Sequence, residues 1–248
     1  MGIDAHELNT FWSVDGDRLR ISSEQGSRFA KEIAGDWNPL HDVGARRYCV
    51  PGDLLFAVVL HRYGLRERMR FRFEGMLGDG QSLCLPTGPA HESDSGQLVL
   101  TDTTDKPCLL VDTEGAVCAD ASAVDAFTRC YVAFSGQNFP HFLQPLMAEQ
   151  GVMFNLDRPL VIYDSMAFSL HAPVPVSGLD MALSGRRLEV DGRRAVATLE
   201  FAISADGVRI GDGAKRLLIG GLQPYDGDRV QAFIDAYRER IRRYTPDG

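Results

Sequence analysis

The chain has 248 residues, of which 26 are basic and 34 acidic, so its formal charge is −8. Hydrophobic residues make up 44% and charged residues 24%, which is typical of a globular chain and excludes a disordered or collagen-like one. The acidic balance argues against a nucleic-acid partner, because phosphate contacts need a basic face. The longest uncharged apolar run, residues 54–60, is far shorter than the roughly 20 residues that span a bilayer, so no membrane partner is predicted.

The N-terminus carries acidic residues early and has no apolar core, so we expect no secretory signal and a cytoplasmic protein. The five cysteines are scattered and include no C-x-x-C pair, which favours reduced, partly buried thiols over disulfides or zinc. No metal site is predicted, and no nucleotide-binding glycine motif is present.

The first predicted elements are short. Alternation over residues 17–23 predicts a strand, and helical spacing over residues 26–33 predicts a helix that ends at Gly35. The Asn-Pro pair at residues 38–39 predicts a turn. A second helix begins at Pro51 and runs to about residue 63. Because its first two turns are apolar on every side, we expect it to be buried all round.

Strands follow this helix. Strict alternation over residues 65–77 predicts a strand with one apolar face and one basic face. The basic face carries Arg66, Arg68, Arg70 and Arg72. Such a row is typical of a solvated sheet face paired with acids. Two more strands are predicted near residues 97–103 and 108–113.

The pattern restarts near residue 120. A helix is predicted over residues 139–154, interrupted early by Pro145. Four long strands follow, over residues 160–171, 179–190, 194–204 and 208–219. Asp-Gly turns join the last three strands as hairpins. Residues 228–244 place apolar side chains on one stripe, which predicts an amphipathic closing helix.

The restart resembles an internal repeat. Residues 33–39 (IAGDWNP) align with residues 134–140 (FSGQNFP) on Gly35 and Gly136, and a Met-x-Phe motif recurs at residues 69–71 and 166–168. Each half has an apolar helix and an antiparallel sheet that can wrap it. We therefore predict units over residues 1–124 and 125–226, followed by a C-terminal helix over residues 227–248.

One motif carries chemistry. Residues 29–41 read F-A-x-x-x-A-G-D-x-N-P-L-H and are followed by Val50-Pro51-Gly52 and the apolar helix. Over about residues 21–60 this pattern resembles the MaoC-like (R)-specific enoyl-CoA hydratases of the hotdog superfamily, in which an antiparallel sheet wraps a long helix. The chain also resembles a family of uncharacterised proteobacterial proteins within that superfamily. The resemblance implies an α+β double hotdog, two helix-wrapped units in one chain, with the amphipathic helix added at the C-terminus.

The resemblance also implies a reaction. Hydration of an α,β-unsaturated thioester needs a base that takes a proton from water and an acid that protonates the α-carbon. Asp36 and His41 are implied to be this pair, without an assignment of either proton transfer. Gly52 is implied to offer its N–H to the enolate oxygen at a helix N-terminus, where its missing Cβ lets the thioester approach. Asn38 and Pro51 are implied to be the other substrate-binding residues. No cofactor is implied, since the coenzyme A or acyl-carrier thioester is the substrate.

Other interpretations stay open. Taken singly, Asp36 fits a turn cap and His41 a surface turn. Residues 41–52 form a shorter segment than the family has, and Gln137 and Phe142 stand in the second half where the acid and the histidine would be. The protein is therefore predicted to be an enoyl-thioester hydratase, a non-catalytic acyl-thioester-binding protein or a thioesterase, as a monomer or homodimer. A tunnel closed at residues 41–52 would favour the binding protein. The arginine row also offers charges for coenzyme A phosphates, although a solvated face is its more common use.

Overall fold

Ten antiparallel strands form one sheet in the computed structural model, which describes residues 7–87, 95–118 and 120–244. Their order across the sheet is β1-β2-β4-β5-β6-β3-β8-β11-β10-β9. A separate pair, β7 and β12, lies outside this sheet. The strands are β1 (Ser13–Asp15), β2 (Arg18–Arg20), β3 (Leu65–Phe73), β4 (Ser82–Cys84), β5 (Ser95–Thr101), β6 (Pro107–Cys118), β7 (Val152–Met153), β8 (Val161–Leu170), β9 (Leu179–Asp191), β10 (Arg194–Ala205), β11 (Val208–Gly220) and β12 (Gln223–Pro224).

Two helices lie in each predicted half of the described chain, and a fifth follows the second half. They are α1 (Ser23–Arg28), α2 (Gly52–Tyr63), α3 (Ala121–Gly136), α4 (Leu143–Glu149) and α5 (Gly227–Tyr244). A π-helical turn continues α1 over Phe29–Ala34 and ends at Gly35, whose φ of 67° is left-handed. Ser22 and Gln25 form a capping box that starts α1, so the predicted strand over residues 17–23 is shortened to β2. No helix in the described ranges is long and apolar enough to cross a bilayer.

The two halves join through the pairing of β3 with β8. In this junction Met69 lies opposite Phe168, and Phe71 lies opposite Met166. The two copies of the Met-x-Phe motif therefore pair with each other in antiparallel register, as a two-fold relation between the halves requires. The predicted boundary at residue 124 lies inside α3, while α5 begins at residue 227.

The first two turns of helix α2 are buried on every side, as the sequence predicts, while His61 and Arg62 in its last turn are exposed. Seven consecutive residues, 54–60, are each at most 4% exposed. The helix packs against α3 and lies within the main apolar core. Because both halves wrap an apolar helix in antiparallel strands and α5 follows them, the predicted double-hotdog architecture is confirmed.

The prediction of the second helix is wrong in position. The long helix of this half is α3, whose Phe127, Tyr131 and Val132 are buried in the main core. Residues 139–154 instead form a π-helical turn, the short α4 and β7. Phe139 is extended (φ −124°, ψ 135°) because the following proline disfavours the helical conformation.

The repeat segments meet at the centre of the molecule. A Cβ on Gly136, at the end of α3, would lie 1.7 Å from the backbone oxygen of Ala34. The first residues of the two aligned segments are therefore in backbone contact, and only glycine allows this approach.

Three of the four arginines predicted on the outward face of β3 lie there, and Arg66 does not. A register shift between Arg66 and Arg68 turns Arg66 inward, where it is buried and donates to the Gly115 carbonyl over 3.1 Å. Arg68 pairs with Glu114, and Arg72 lies 3.3 Å from Asp112. Arg68 and Arg72 therefore form ion pairs with acidic residues of the neighbouring strand β6.

Candidate active site

A cavity of about 580 Å³ lies between the two halves. Most of its wall is apolar and comes from distant parts of the chain. Its apolar lining includes Leu55, Phe73, Leu77, Phe139, Leu143, Phe154, Ile162, Leu217 and Phe233. Its polar lining includes Asp36, Asn38, His41, Asn138 and Tyr163. An apolar chamber with a few grouped polar side chains is typical of a small-molecule site.

A short hydrogen-bonded turn holds Asp36 at this wall. The Asp36 N–H donates to the Ala30 carbonyl over 2.7 Å, which fixes its backbone to the preceding π-helical turn. Its Oδ1 accepts the Asn38 N–H over 2.9 Å, and Asn38 Oδ1 accepts the Leu40 N–H over 3.1 Å. The remaining oxygen, Asp36 Oδ2, lies 3.6 Å from His41 Nε2. The structure therefore brings the two predicted catalytic side chains together at the cavity.

The tautomer of His41 follows from its other contact. His41 Nδ1 lies 2.7 Å from the Cys49 carbonyl oxygen, which can only accept. Nδ1 must therefore carry a proton, and in the neutral ring Nε2 presents a lone pair. This lone pair and the Asp36 carboxylate are two acceptors that face each other across a distance one water molecule can bridge. Such a pair orients a water by accepting both of its protons, which is the geometry of base-assisted attack.

The predicted substrate-binding residues differ in position. Asn38 lines the cavity, and its Nδ2 donates to the Val161 carbonyl over 3.5 Å. Gly52 also lines it, but a Cβ there would lie 2.6 Å from the Tyr163 ring and 3.3 Å from Phe73. The missing Cβ therefore makes room for two aromatic rings, whereas the sequence predicted room for a thioester. Pro51 is buried at the start of α2 and is absent from the cavity wall.

The second half has no equivalent of the acid–histidine pair. Gln137 is exposed at the end of α3, and Phe142 packs between two apolar cores. Neither lines the cavity. This half contributes Asn138 and Phe139 instead.

A buried polar cluster that the sequence analysis missed lies beside Gly52. Asp53, in the first turn of α2, is 2% exposed. Its carboxyl oxygens lie 2.9 and 2.7 Å from Ser135 Oγ, and Oδ2 lies 3.1 Å from the Tyr163 hydroxyl. Ser135 and Tyr163 are also in hydrogen-bond contact. Asn138 Nδ2 donates to the Tyr163 hydroxyl over 3.2 Å. Because Tyr163 lines the cavity, the cluster connects buried Asp53 to the cavity wall.

The only fully buried lysine among the described residues faces this cluster. Lys215 is 1% exposed, and its Nζ has no hydrogen-bond partner within the described ranges. The ammonium lies over the ring of Phe134 at 4.7 Å and that of Tyr131 at 5.5 Å. Burial lowers the pKa of Lys215 to about 8, against the raising influence of Asp53 and Asp36. Burial likewise raises the pKa of Asp53 to about 6, although Lys215, Ser135 and Tyr163 act to lower it.

The C-terminal helix closes one side of the cavity. Phe233 and Tyr237 of α5 line the wall, and the Trp37 N–H donates to the Tyr237 hydroxyl over 3.2 Å. Burial raises the pKa of Tyr237. Arg240 pairs with Asp42 at 2.7 Å, which ties α5 to the segment after His41. No group of three metal-ligating side chains occurs in the part of the chain that the structure describes.

A family model described as "Protein of unknown function (DUF3581)" matches residues 6–228. The chain belongs to this family. No curated protein matches it. The family match covers both halves and the start of α5, and the predicted place among the MaoC-like hydratases stays a prediction for this DUF3581 chain.

Solved structures resemble it at low sequence identity. A Mycobacterium tuberculosis protein described as having a double hotdog fold is 11% identical, with a TM-score of 0.48 over 83% of this chain and 95% of that one. A MaoC-like dehydratase is 12% identical, with a TM-score of 0.43 over 86% and 99%. An acyl-CoA thioesterase II from Mycobacterium marinum is 8% identical, with a TM-score of 0.45 over 89% and 100%. Similarity at this level does not choose between reactions.

Proposed function

We propose that this protein adds water to an enoyl thioester, or removes it in the reverse reaction. The observation that carries the proposal is the pair of facing acceptors, Asp36 Oδ2 and His41 Nε2, 3.6 Å apart at the wall of an apolar cavity. The carrier of the acyl group is coenzyme A or an acyl carrier protein, and no cofactor takes part. The location is cytoplasmic, and the protein acts as a monomer or homodimer.

The pair acts on one water. Asp36 and His41 accept its two protons, and one of them takes a proton as the water oxygen bonds to the β-carbon. The electron pair of the double bond moves toward the thioester and forms an enolate. The first N–H groups of α2 have no partner within the helix, and the helix dipole adds positive potential there. They therefore suit the enolate oxygen, although the ring of Tyr163 stands beside Gly52.

The cavity is not closed at residues 41–52, which was the feature that would have favoured a silent binding protein. Arg47 and Met76 line it and are both exposed, so the cavity reaches the surface beside the segment that follows His41. The shortened segment therefore forms part of an open wall. This arrangement gives a substrate access to the Asp36–His41 pair.

The test follows the absorbance of trans-2-enoyl-CoA substrates, from crotonyl-CoA to longer chains, beside a free-thiol assay. Loss of enoyl absorbance without thiol release is the expected result. Thiol release would identify a thioesterase, which uses the same water against the carbonyl carbon. Binding of acyl-CoA without turnover would identify a binding protein. If the protein neither binds acyl-CoA nor turns over any enoyl-CoA, the proposal is overturned.

A further inference from the structure

The contacts within the buried cluster of Asp53, Ser135 and Tyr163 depend on how many protons these three side chains carry. Each pair among Asp53, Ser135 and Tyr163 is in hydrogen-bond contact, and Ser135 Oγ approaches both carboxyl oxygens of Asp53. The two hydroxyls carry only two protons between them, and an ionised carboxylate cannot donate. Each of the three pairs shares a proton only when Asp53 is protonated, which gives three protons for three pairs. The three groups then form a closed ring, Asp53 to Ser135 to Tyr163 and back to Asp53, and one member of the ring lines the cavity.

We propose that Tyr163 is a second catalytic residue, which donates a proton to the α-carbon and recovers it from Asp53 through Ser135. This inference rests on the proposed hydration. It adds a proton donor that is separate from the Asp36–His41 pair, which takes a proton from the water. The ring of Tyr163 lies against Gly52 and Phe73, so its position at the cavity wall is fixed by packing.

The step balances. Asp36 or His41 takes one proton from water while oxygen bonds to the β-carbon, and the α-carbon takes the Tyr163 hydroxyl proton. Ser135 passes its proton to Tyr163, and Asp53 passes its own to Ser135. The proton held at the Asp36–His41 pair returns to Asp53 by exchange with solvent between turnovers. The net change is the addition of one water.

Lys215 is a positioning residue in this scheme. After Asp53 gives up its proton, its carboxylate is buried and needs an opposite charge. The charged groups that face Asp53 are Lys215 from β11 and Asp36 from the turn, and Tyr131 from α3 is the further titratable neighbour. Lys215 is the cation of this set, and the rings of Tyr131 and Phe134 hold it in place. It therefore stabilises the state that the relay reaches after proton donation.

Tyr163→Phe is the central test, because it keeps the ring that packs on Gly52 and removes only the hydroxyl. We expect kcat with an enoyl-CoA to fall about 10²-fold or more, the usual contribution of a positioned acid, with little change in KM. Tyr225→Phe is the matched control. It removes a hydroxyl that accepts a partly buried hydrogen bond from Gln144 Nε2, and Tyr225 does not line the cavity. An unchanged kcat in Tyr163→Phe, or an equal loss in the control, would overturn the relay.

The pH profile separates a proton donor from a structural role. Asp53 must be protonated to return a proton to Tyr163, so wild-type kcat should fall as pH rises through the pKa of Asp53, about 6. Lys215→Met raises that pKa, because it removes the facing cation, and should move the fall to higher pH. Ser135→Ala breaks the relay and should lower kcat and abolish this limb. A profile that does not move in Lys215→Met would overturn the role of Lys215.

Carboxyl-carbon NMR distinguishes failure of the relay from failure of the proposed function. It follows the titration of Asp53 without any turnover, in the wild type and in Lys215→Met. Asp53 titrating near its ordinary pKa, with no change in the variant, overturns the relay even in an active hydratase. If the wild type does not turn over any enoyl-CoA, the proposed function is overturned. Tyr163 is then not a proton donor to an enoyl thioester either.

Discussion

At the scale of single residues, one backbone carbonyl decides what His41 can do. The Cys49 carbonyl accepts the Nδ1 proton, so in the neutral ring Nε2 points its lone pair to the same side as Asp36 Oδ2. The Asn38 N–H donates to Asp36 Oδ1 and so fixes the orientation of the Asp36 carboxylate. The motif thus acts through its backbone as much as through its side chains. This explains why an acid and a histidine five residues apart converge on one point.

Asp36→Asn and His41→Gln should each lower turnover of an enoyl-CoA by about 10²–10⁴-fold, since each removes a proton acceptor from the water. The double variant should be little worse than either single one, because the pair acts as a unit. Initial rates of absorbance loss measure both effects. Gln137→Ala, at the aligned exposed position of the second half, is the control and should keep full activity. Independent, additive losses would argue against a shared water.

Gly52→Ala should destabilise the protein by about 1–3 kcal/mol, because its Cβ would press on the rings of Tyr163 and Phe73. Urea denaturation measures the change. Gly75→Ala is the matched control, since nothing lies within 4 Å of a Cβ there, and it should change stability by less than about 0.5 kcal/mol. In a Tyr163→Ala background the Gly52→Ala penalty should shrink. An equal penalty in both backgrounds would show that the ring contact is not its cause.

The site was predictable only where it is local in sequence. Asp36, Asn38 and His41 lie within six residues, so a motif contains them. Ser135 and Tyr163 are 82 and 110 residues away from Asp53, and only the folded sheet brings them together. The sequence contained one indication that Lys215 is buried. It lies two residues before buried Leu217 in β11, so both side chains are on the inward face of the strand. A lysine in that register is unusual in a core strand.

At the scale of elements, helix α5 is part of the site and not only a C-terminal addition. Its amphipathic stripe was predictable from the spacing of apolar residues, but its contact with the cavity was not. The ring of Phe233 lies 5.5 Å from that of Phe139 and 5.8 Å from that of Phe154. These three rings form the wall between α5 and the second half. The second helix was misplaced for a related reason, because periodicity detects an apolar segment without showing that Pro140 breaks it.

Phe233→Ala should enlarge the cavity and shift preference toward longer acyl chains. Each additional buried methylene contributes about 0.8 kcal/mol, which corresponds to a roughly fourfold gain in affinity per carbon. The dissociation constants of a series of saturated acyl-CoAs measure this shift without needing turnover. Arg238→Ala, on the exposed face of α5, is the control. The same chain-length preference in Phe233→Ala and wild type would show that the acyl group lies elsewhere.

At the scale of the whole molecule, the continuous sheet makes the two halves one folding unit. The family resemblance implied the fold class, and the repeated Met-x-Phe motif marks the junction where β3 pairs directly with β8. The buried polar cluster draws on both halves, with Asp53 from α2 and Lys215 from β11. Its ionisation is therefore coupled to the stability of the complete fold.

The Asp53/Lys215 pair should give stability a distinct dependence on pH. Folding raises the pKa of Asp53 from 3.8 to about 6, so the stability it contributes is present below pH 3.8 and lost as pH rises through 6. Folding lowers the pKa of Lys215 from 10.5 to about 8, so its contribution is present above pH 10.5 and lost as pH falls through 8. Between pH 6 and 8 both groups are charged and buried, so the destabilising effect of the pair is largest in this range.

The double variant Asp53→Asn/Lys215→Met removes both charges while keeping similar volumes. Relative to wild type, we expect its free energy of unfolding to gain most near pH 7, by about 1–4 kcal/mol, and to gain least at pH 4 and pH 10. Urea denaturation at these three pH values measures the difference. The control replaces the exposed pair Arg68 and Glu114 by Met and Gln and should change stability by less than about 1 kcal/mol at each pH. A difference between double variant and wild type that is constant across pH would mean that the two buried groups keep their ordinary pKa values in the folded chain.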